Sequence, residues 1–170
     1  MSSSALNSTN FAAQISSGET VTQNNNSAIF PIVDNTAVNN ITSGTGAGKA
    51  QHVWQNQLTC DSSSGQTLDL TALAGGLEGA NRSFTKVKSI KITNTDTGIV
   101  LTVGNAASNQ WLGLCSSGTA TLPVNPGGFL WNHAPDANGL ALIDSTHKNL
   151  LLKAASGSVV VNITIIGEGT

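Results

Sequence analysis

Chemistry needs side chains that titrate, ligate or attack. This 170-residue chain holds nine Asp and Glu, seven Lys and Arg, three His and two Cys. Two places bring a histidine near a carboxylate: "NHAPDANG", with His133 and Asp136, and "IDSTH", with Asp144 and His147. A metal site would have to be assembled across strands from such pairs, because His52, His133 and His147 are scattered and no His-Glu-x-x-His or Cys-x-x-Cys spacing occurs. Histidines beside turns read more simply as exposed or locally hydrogen-bonded groups. A glycosidase needs two acids facing each other across a groove, and the acids here are mostly single and beside turns.

"SGTGAGKA" (residues 43–50) looks like a phosphate-binding loop, whose backbone amides and lysine cradle phosphates. That loop requires glycine five positions ahead of Gly48, where Ser43 stands, and Ser or Thr after Lys49, where Ala50 stands. With no strand before it and no helical pattern after it, the stretch reads as a linker. There is no Gly-x-Ser-x-Gly nucleophile elbow. The three tryptophans, Trp54, Trp111 and Trp131, could form a surface platform for sugars or for neighbouring subunits. They could equally be core anchors, since an aromatic side chain buries a large area and the chain has four Phe and no Tyr. They are therefore candidate surface contacts, with the core reading favoured.

Only 9% of residues are charged and the formal net charge is -2, against about a quarter charged in an ordinary globular domain. Phosphate neutralisation by Lys and Arg is the main source of nucleic-acid affinity, so nucleic acid is not an expected partner. Ser, Thr, Asn and Gly supply the polarity instead. Such a surface can approach a neighbour without burying unpaired charge. No apolar run is long enough to span a bilayer as a helix. "MSSSALNSTN" has neither a basic nor an apolar leader segment, which reads against export. Cys60 and Cys115 are then expected as two separate reduced core thiols.

The elements that must position these residues change character near residue 50. Residues 1–49 are rich in Ser, Asn, Thr and Gly, with Phe11, Ile15 and "AIFPIV" (28–33) as apolar anchors. This is an extended, low-complexity arm that cannot build a core alone. Its docking residues are expected to be Phe11, Ile29, Phe30, Pro31 and Ile32, although a tail packed back on its own domain would use the same anchors. Residues 50–170 read as strands: "VWQNQLTC", "QTLDL", "TGIVLTVG", "GFLWNHA", "GLALID", "NLLLKA" and "SVVVNITIIG". β-branched residues recur at period two, with Val159, Val161, Ile163 and Ile165 on one side of the last strand. In "FTKVKSIKITN", Val87 falls out of phase with Ile90 and Ile92, which predicts a bulge near Ser89. "LDLTALAGGLEGA" allows a short helical turn at most. Six to nine short strands with Gly- and Pro-marked turns predict an all-β, antiparallel β-sandwich, jelly-roll-like.

The segments "FTKVKSIKITN", "LTVG", "LPVNPGGFLWNHAPDANGLAL" and "VNITIIGEG" follow one another in an order that resembles small structural proteins of tailed bacteriophages. The likeness covers about residues 50–170. It implies a non-enzymatic virion component of decoration, cement or head-fibre type, assembled in the host cytoplasm. Its implied partners are the major capsid protein or other virion proteins and copies of itself, a trimer being favoured. It implies no catalytic residues, no cofactor and no metal. The alternative from the residues themselves is a host-surface or carbohydrate-binding module using the tryptophans.

Overall fold

The computed structural model describes residues 8–9, 14–23, 26–35, 41–76, 79 and 81–170; within 8–35 it describes the backbone alone. Among the described residues thirteen strands run in chain order: β1 (Ser8–Thr9), β2 (Gln14–Gln23), β3 (Asn26–Asn35), β4 (Ile41–Ser43), β5 (Lys49–Ala50), β6 (His52–Asp61), β7 (Gln66–Asp69), β8 (Phe84–Asn94), β9 (Leu101–Gly104), β10 (Thr121–Val124), β11 (Phe129–His133), β12 (Asn149–Ala154) and β13 (Ser158–Gly169). There is no helix among the described residues.

The last eight strands form two antiparallel four-stranded sheets, ordered β11-β8-β13-β6 and β10-β9-β12-β7. The chain changes sheet at every connection except β9 to β10, which pair directly. That is the connectivity of a jelly roll, two Greek keys folded into a sandwich. Period-two alternation explains the layering. Trp54, Cys60, Ile90, Ile92, Val159, Val161, Ile163 and Ile165 come from the first sheet, and they share one core with Leu68, Leu101, Val103, Val124, Leu150 and Leu152 of the second.

Two turns punctuate the stretch around β11. In "NPGG", the Gly128 N–H returns to the Asn125 carbonyl at 2.9 Å, as Pro at the second position of a turn favours. In "APDANG", the Asp136 carboxylate accepts the backbone N–H groups of Asn138 (2.8 Å) and Gly139 (2.7 Å). Corner, strand and corner follow as the residues predict.

Four features differ from the sequence reading. "GLALID" forms no strand: Leu142 makes one isolated bridge to Lys86 and is 67% exposed. Conversely, "TLPV" forms β10. It tolerates Pro123 because β10 is an edge strand, where a missing N–H costs no ladder bond. In the N-terminal segment β2 and β3 pair as a ten-residue hairpin. Residues 43–50, read as linker, instead pack on the body together with Ile41: Ile41 and Ala50 are buried against Ile166, with Val53 beside them.

The predicted irregularity in β8 is present. Ile166 pairs with Ser89 but Gly167 pairs with Val87, so Lys88 is the extra residue of a bulge. Gly167 is required there, since a Cβ would meet the Lys86 carbonyl oxygen at 2.0 Å. At the far end of β8, buried Asn94 donates from Nδ2 to the carbonyls of Ile99 (2.8 Å) and Val124 (3.0 Å). One amide thereby ties the β8 terminus to β10 in the opposite sheet.

Candidate functional site

The bulge turns Lys88 inward, and it is fully buried. A buried ammonium is tolerable only when paired. Lys88 Nζ donates to the Asp136 carbonyl and lies 3.1 Å from Glu168 Oε1. Lys86 Nζ donates to the Ala137 carbonyl at 2.9 Å and sits 3.4 Å from Glu168 Oε2. The Gly46 N–H gives Glu168 Oε1 a further bond of 2.8 Å, and the Gly48 N–H bonds the Pro135 carbonyl. Burial acts to raise the Glu168 pKa, but the Gly46 amide and the two lysines outweigh it, so the carboxyl titrates below its ordinary range. "SGTGAGKA" is therefore a turn that offers one amide to the protein's own carboxylate and another to the Pro135 carbonyl. The knot joins residues 43–50, 134–140 and the end of β13 through the two lysines of β8.

The histidine–carboxylate pairs resolve differently from one another. Asp144 and His147 do meet, with Nδ1 3.1 Å from Oδ1. The same carboxylate oxygen also takes the Thr146 hydroxyl (2.8 Å) and two backbone N–H groups, from Thr146 and His147. These bonds, the Thr146 hydroxyl first, bring the Asp144 pKa down to about 2. Asp136 is committed to its own turn, and desolvation lowers the pKa of His133. Among the described residues no three His, Cys, Asp or Glu side chains come together in a metal-binding group.

Two of the three tryptophans are not surface contacts. Trp54 and Trp111 are each 1% exposed; Trp54 Nε1 donates to the Ala74 carbonyl at 3.2 Å. The reason is alternation: Trp54 shares a register row with inward-facing Ile165 and Ile90. A platform of three tryptophans is therefore excluded. Trp131 alone lies on the outer side of its sheet, half-buried, with Nε1 3.0 Å from Ser89 Oγ. Phe11 lies outside the described residues, as do the side chains of Ile29, Phe30, Pro31 and Ile32, whose backbone belongs to β3. Cys60 and Cys115 are buried free thiols.

The surface that the register builds is the outer face of β11-β8-β13-β6. Its rows read Phe129–Thr93–Asn162–Gln57, then Trp131–Lys91–Thr164–Gln55, then His133–Ser89–Ile166–Val53. Gln57 Nε2 donates to Asn162 Oδ1 at 3.0 Å and Gln55 Nε2 to Thr164 Oγ1 at 3.3 Å. Phe129 is 63% exposed, and Lys91 Nζ sits 5.2 Å from its ring centre. The third row is roofed by Ile41 and Ala50; the first two carry one formal charge, Lys91. Alternation along β11 puts Phe129, Trp131 and His133 on one side, whereas Lys91 and the Gln–Asn and Gln–Thr pairs adjoin them only once four strands are in register. No protein-family model, curated protein or solved structure matches this chain.

Proposed function

We propose that this chain is a structural, non-enzymatic component of a phage virion, binding the capsid or neighbouring virion proteins as a decoration or cement protein. The observation that carries this reading is the outer sheet face: uncharged hydrogen-bonding rows, one cation and a solvent-exposed Phe129. Such a face can meet another protein surface with little charge to desolvate, and an exposed aromatic beside it is the residue type that anchors interfaces. The resemblance of the ordered strand and turn motifs to phage structural proteins is what supports a virion as the assembly. Many copies on a lattice would turn a modest contact into firm attachment.

The test is to incubate the full-length protein with purified capsids lacking it and to measure co-sedimentation. Saturable binding that is lost in Phe129→Asp is the expected result. Absence of the protein from purified particles by mass spectrometry, together with no binding to capsids, would overturn the reading.

A further inference from the structure

We propose that the Asn138–Gly139 step is a latent self-modification site, a deamidating pair that the folded corner after β11 holds inactive and that loosening of the Lys86–Lys88–Glu168 knot releases. It is the one place in the 170 residues where glycine follows asparagine. Asparagine amides are among the thermolabile groups of proteins, and a glycine, lacking a Cβ, leaves its own backbone nitrogen unhindered as a nucleophile. The chemistry needs only water. The Gly139 backbone nitrogen gives its proton to water and attacks Asn138 Cγ. The new C–N bond closes a succinimide, the Cγ–Nδ2 bond breaks, and the amide nitrogen takes up a proton and leaves as ammonia. Water then adds to either imide carbonyl and reopens the ring, as aspartate or as isoaspartate.

Asn138 is exposed, so water reaches it. The corner withholds the reaction in other ways. The Gly139 N–H donates to Asp136 Oδ1 at 2.7 Å, and the Asn138 N–H donates to the same oxygen at 2.8 Å. A bond to a carboxylate is charge-assisted, and here it retains the very proton that the attacking nitrogen must lose. The backbone is pinned as well. Gly139 lies at φ +75 so close to β8 that a Cβ would meet the Val87 carbonyl oxygen at 2.5 Å. The Leu140 N–H bonds that same carbonyl at 2.9 Å. On the other flank, the carbonyls of Asp136 and Ala137 accept the Lys88 and Lys86 ammonium groups, which Glu168 pairs from β13. Residues 138 and 139 are thus clamped before and behind, and the nitrogen cannot swing toward Cγ until one clamp lets go.

Conversion acts back on the clamp. An isoaspartyl link routes the main chain through the former side-chain carbon, which lengthens a corner that already touches β8. Either product also adds a negative charge to the turn that carries Asp136. The Gly48 N–H bond to the Pro135 carbonyl, which ties residues 43–50 to this corner, should weaken in consequence. A passing opening of the knot is thereby recorded as a lasting one.

The experiment follows Asn138 in the full-length protein at mildly alkaline pH by peptide mapping that separates aspartate from isoaspartate. The same chain in guanidinium gives the rate without the fold. The folded protein should convert roughly ten- to a hundredfold more slowly. Asp136→Ala should close much of that gap while its circular dichroism spectrum stays native. Lys86→Met frees the Ala137 carbonyl but leaves the buried Lys88–Glu168 pair in place; it should also raise the folded rate, and it decides the matter where Asp136→Ala does not fold. Converted protein, separated from unconverted, should exchange the Gly48 amide faster. A folded rate equal to the denatured one, or one that no folded variant raises, overturns the inference.

Discussion

The side chain on which most depends is Lys88, a cation placed inside by a bulge and matched to Glu168. Removing one member of a buried pair leaves the other uncompensated, at about 3–5 kcal/mol. Lys88→Met should destabilise by about that much in chemical denaturation, whereas Lys88→Met with Glu168→Gln should recover a substantial part. The pH dependence has a definite sign. Glu168 titrates below its ordinary range in the folded protein, so its stabilisation is present above the unfolded value and is lost as pH falls through the folded one. Melting temperature should therefore drop on acidification below about pH 4, and the drop should be shallower in the double variant. Cys60 is the opposite case. Burial, then the neighbouring Asp61 charge, pushes its thiol up to about 11, and reactivity follows the thiolate. A thiol reagent at neutral pH should label it only after denaturant is added.

At the scale of elements, the turn after β11 is held from several directions. Ala134 and Leu140 donate to the Lys88 and Val87 carbonyls, and both lysines reach its carbonyls. Gly139 has φ +75, and a Cβ there would meet the Val87 oxygen at 2.5 Å. Gly139→Ala should cost about 1–3 kcal/mol and should loosen residues 43–48 as well, visible as faster amide exchange at Gly46 and Gly48. Much of this was legible beforehand. Period-two alternation found β6, β7, β8, β9, β11, β12 and β13, and the phase break at Val87 located the bulge. β10 escaped because Pro123 is forbidden in a central strand yet harmless at an edge, and only topology says which is which. "GLALID" misled because apolar letters alternate there without a partner strand to receive them. The contact face was half legible. Its aromatic stripe follows from one strand, whereas the Gln–Asn and Gln–Thr pairs depend on residues more than 100 positions apart. The Lys88–Glu168 knot had a faint signal, a lysine in apolar phase within "VKSIKI".

For the whole molecule, the functional boundary lies nearer residue 40 than 50, since Ile41 and Ala50 are fully buried. A chain beginning at Ile41 should keep the melting temperature of the full-length body. One beginning at Gln51 uncovers Ile166 and removes the Gly46 amide from Glu168, so it should melt measurably lower. The last strand has a different consequence. β13 lies at the centre of its sheet, with Val159 against Cys60 on one side and Val161 against Asn94 on the other. While the polypeptide is still leaving the ribosome, β6 and β8 therefore have no bridge between them, and both present open edges of the kind that recruit foreign strands. Nascent chains must stay shielded until residues Ser158–Gly169 emerge, so a premature stop before Ser158 should yield insoluble protein rather than a weakened sandwich.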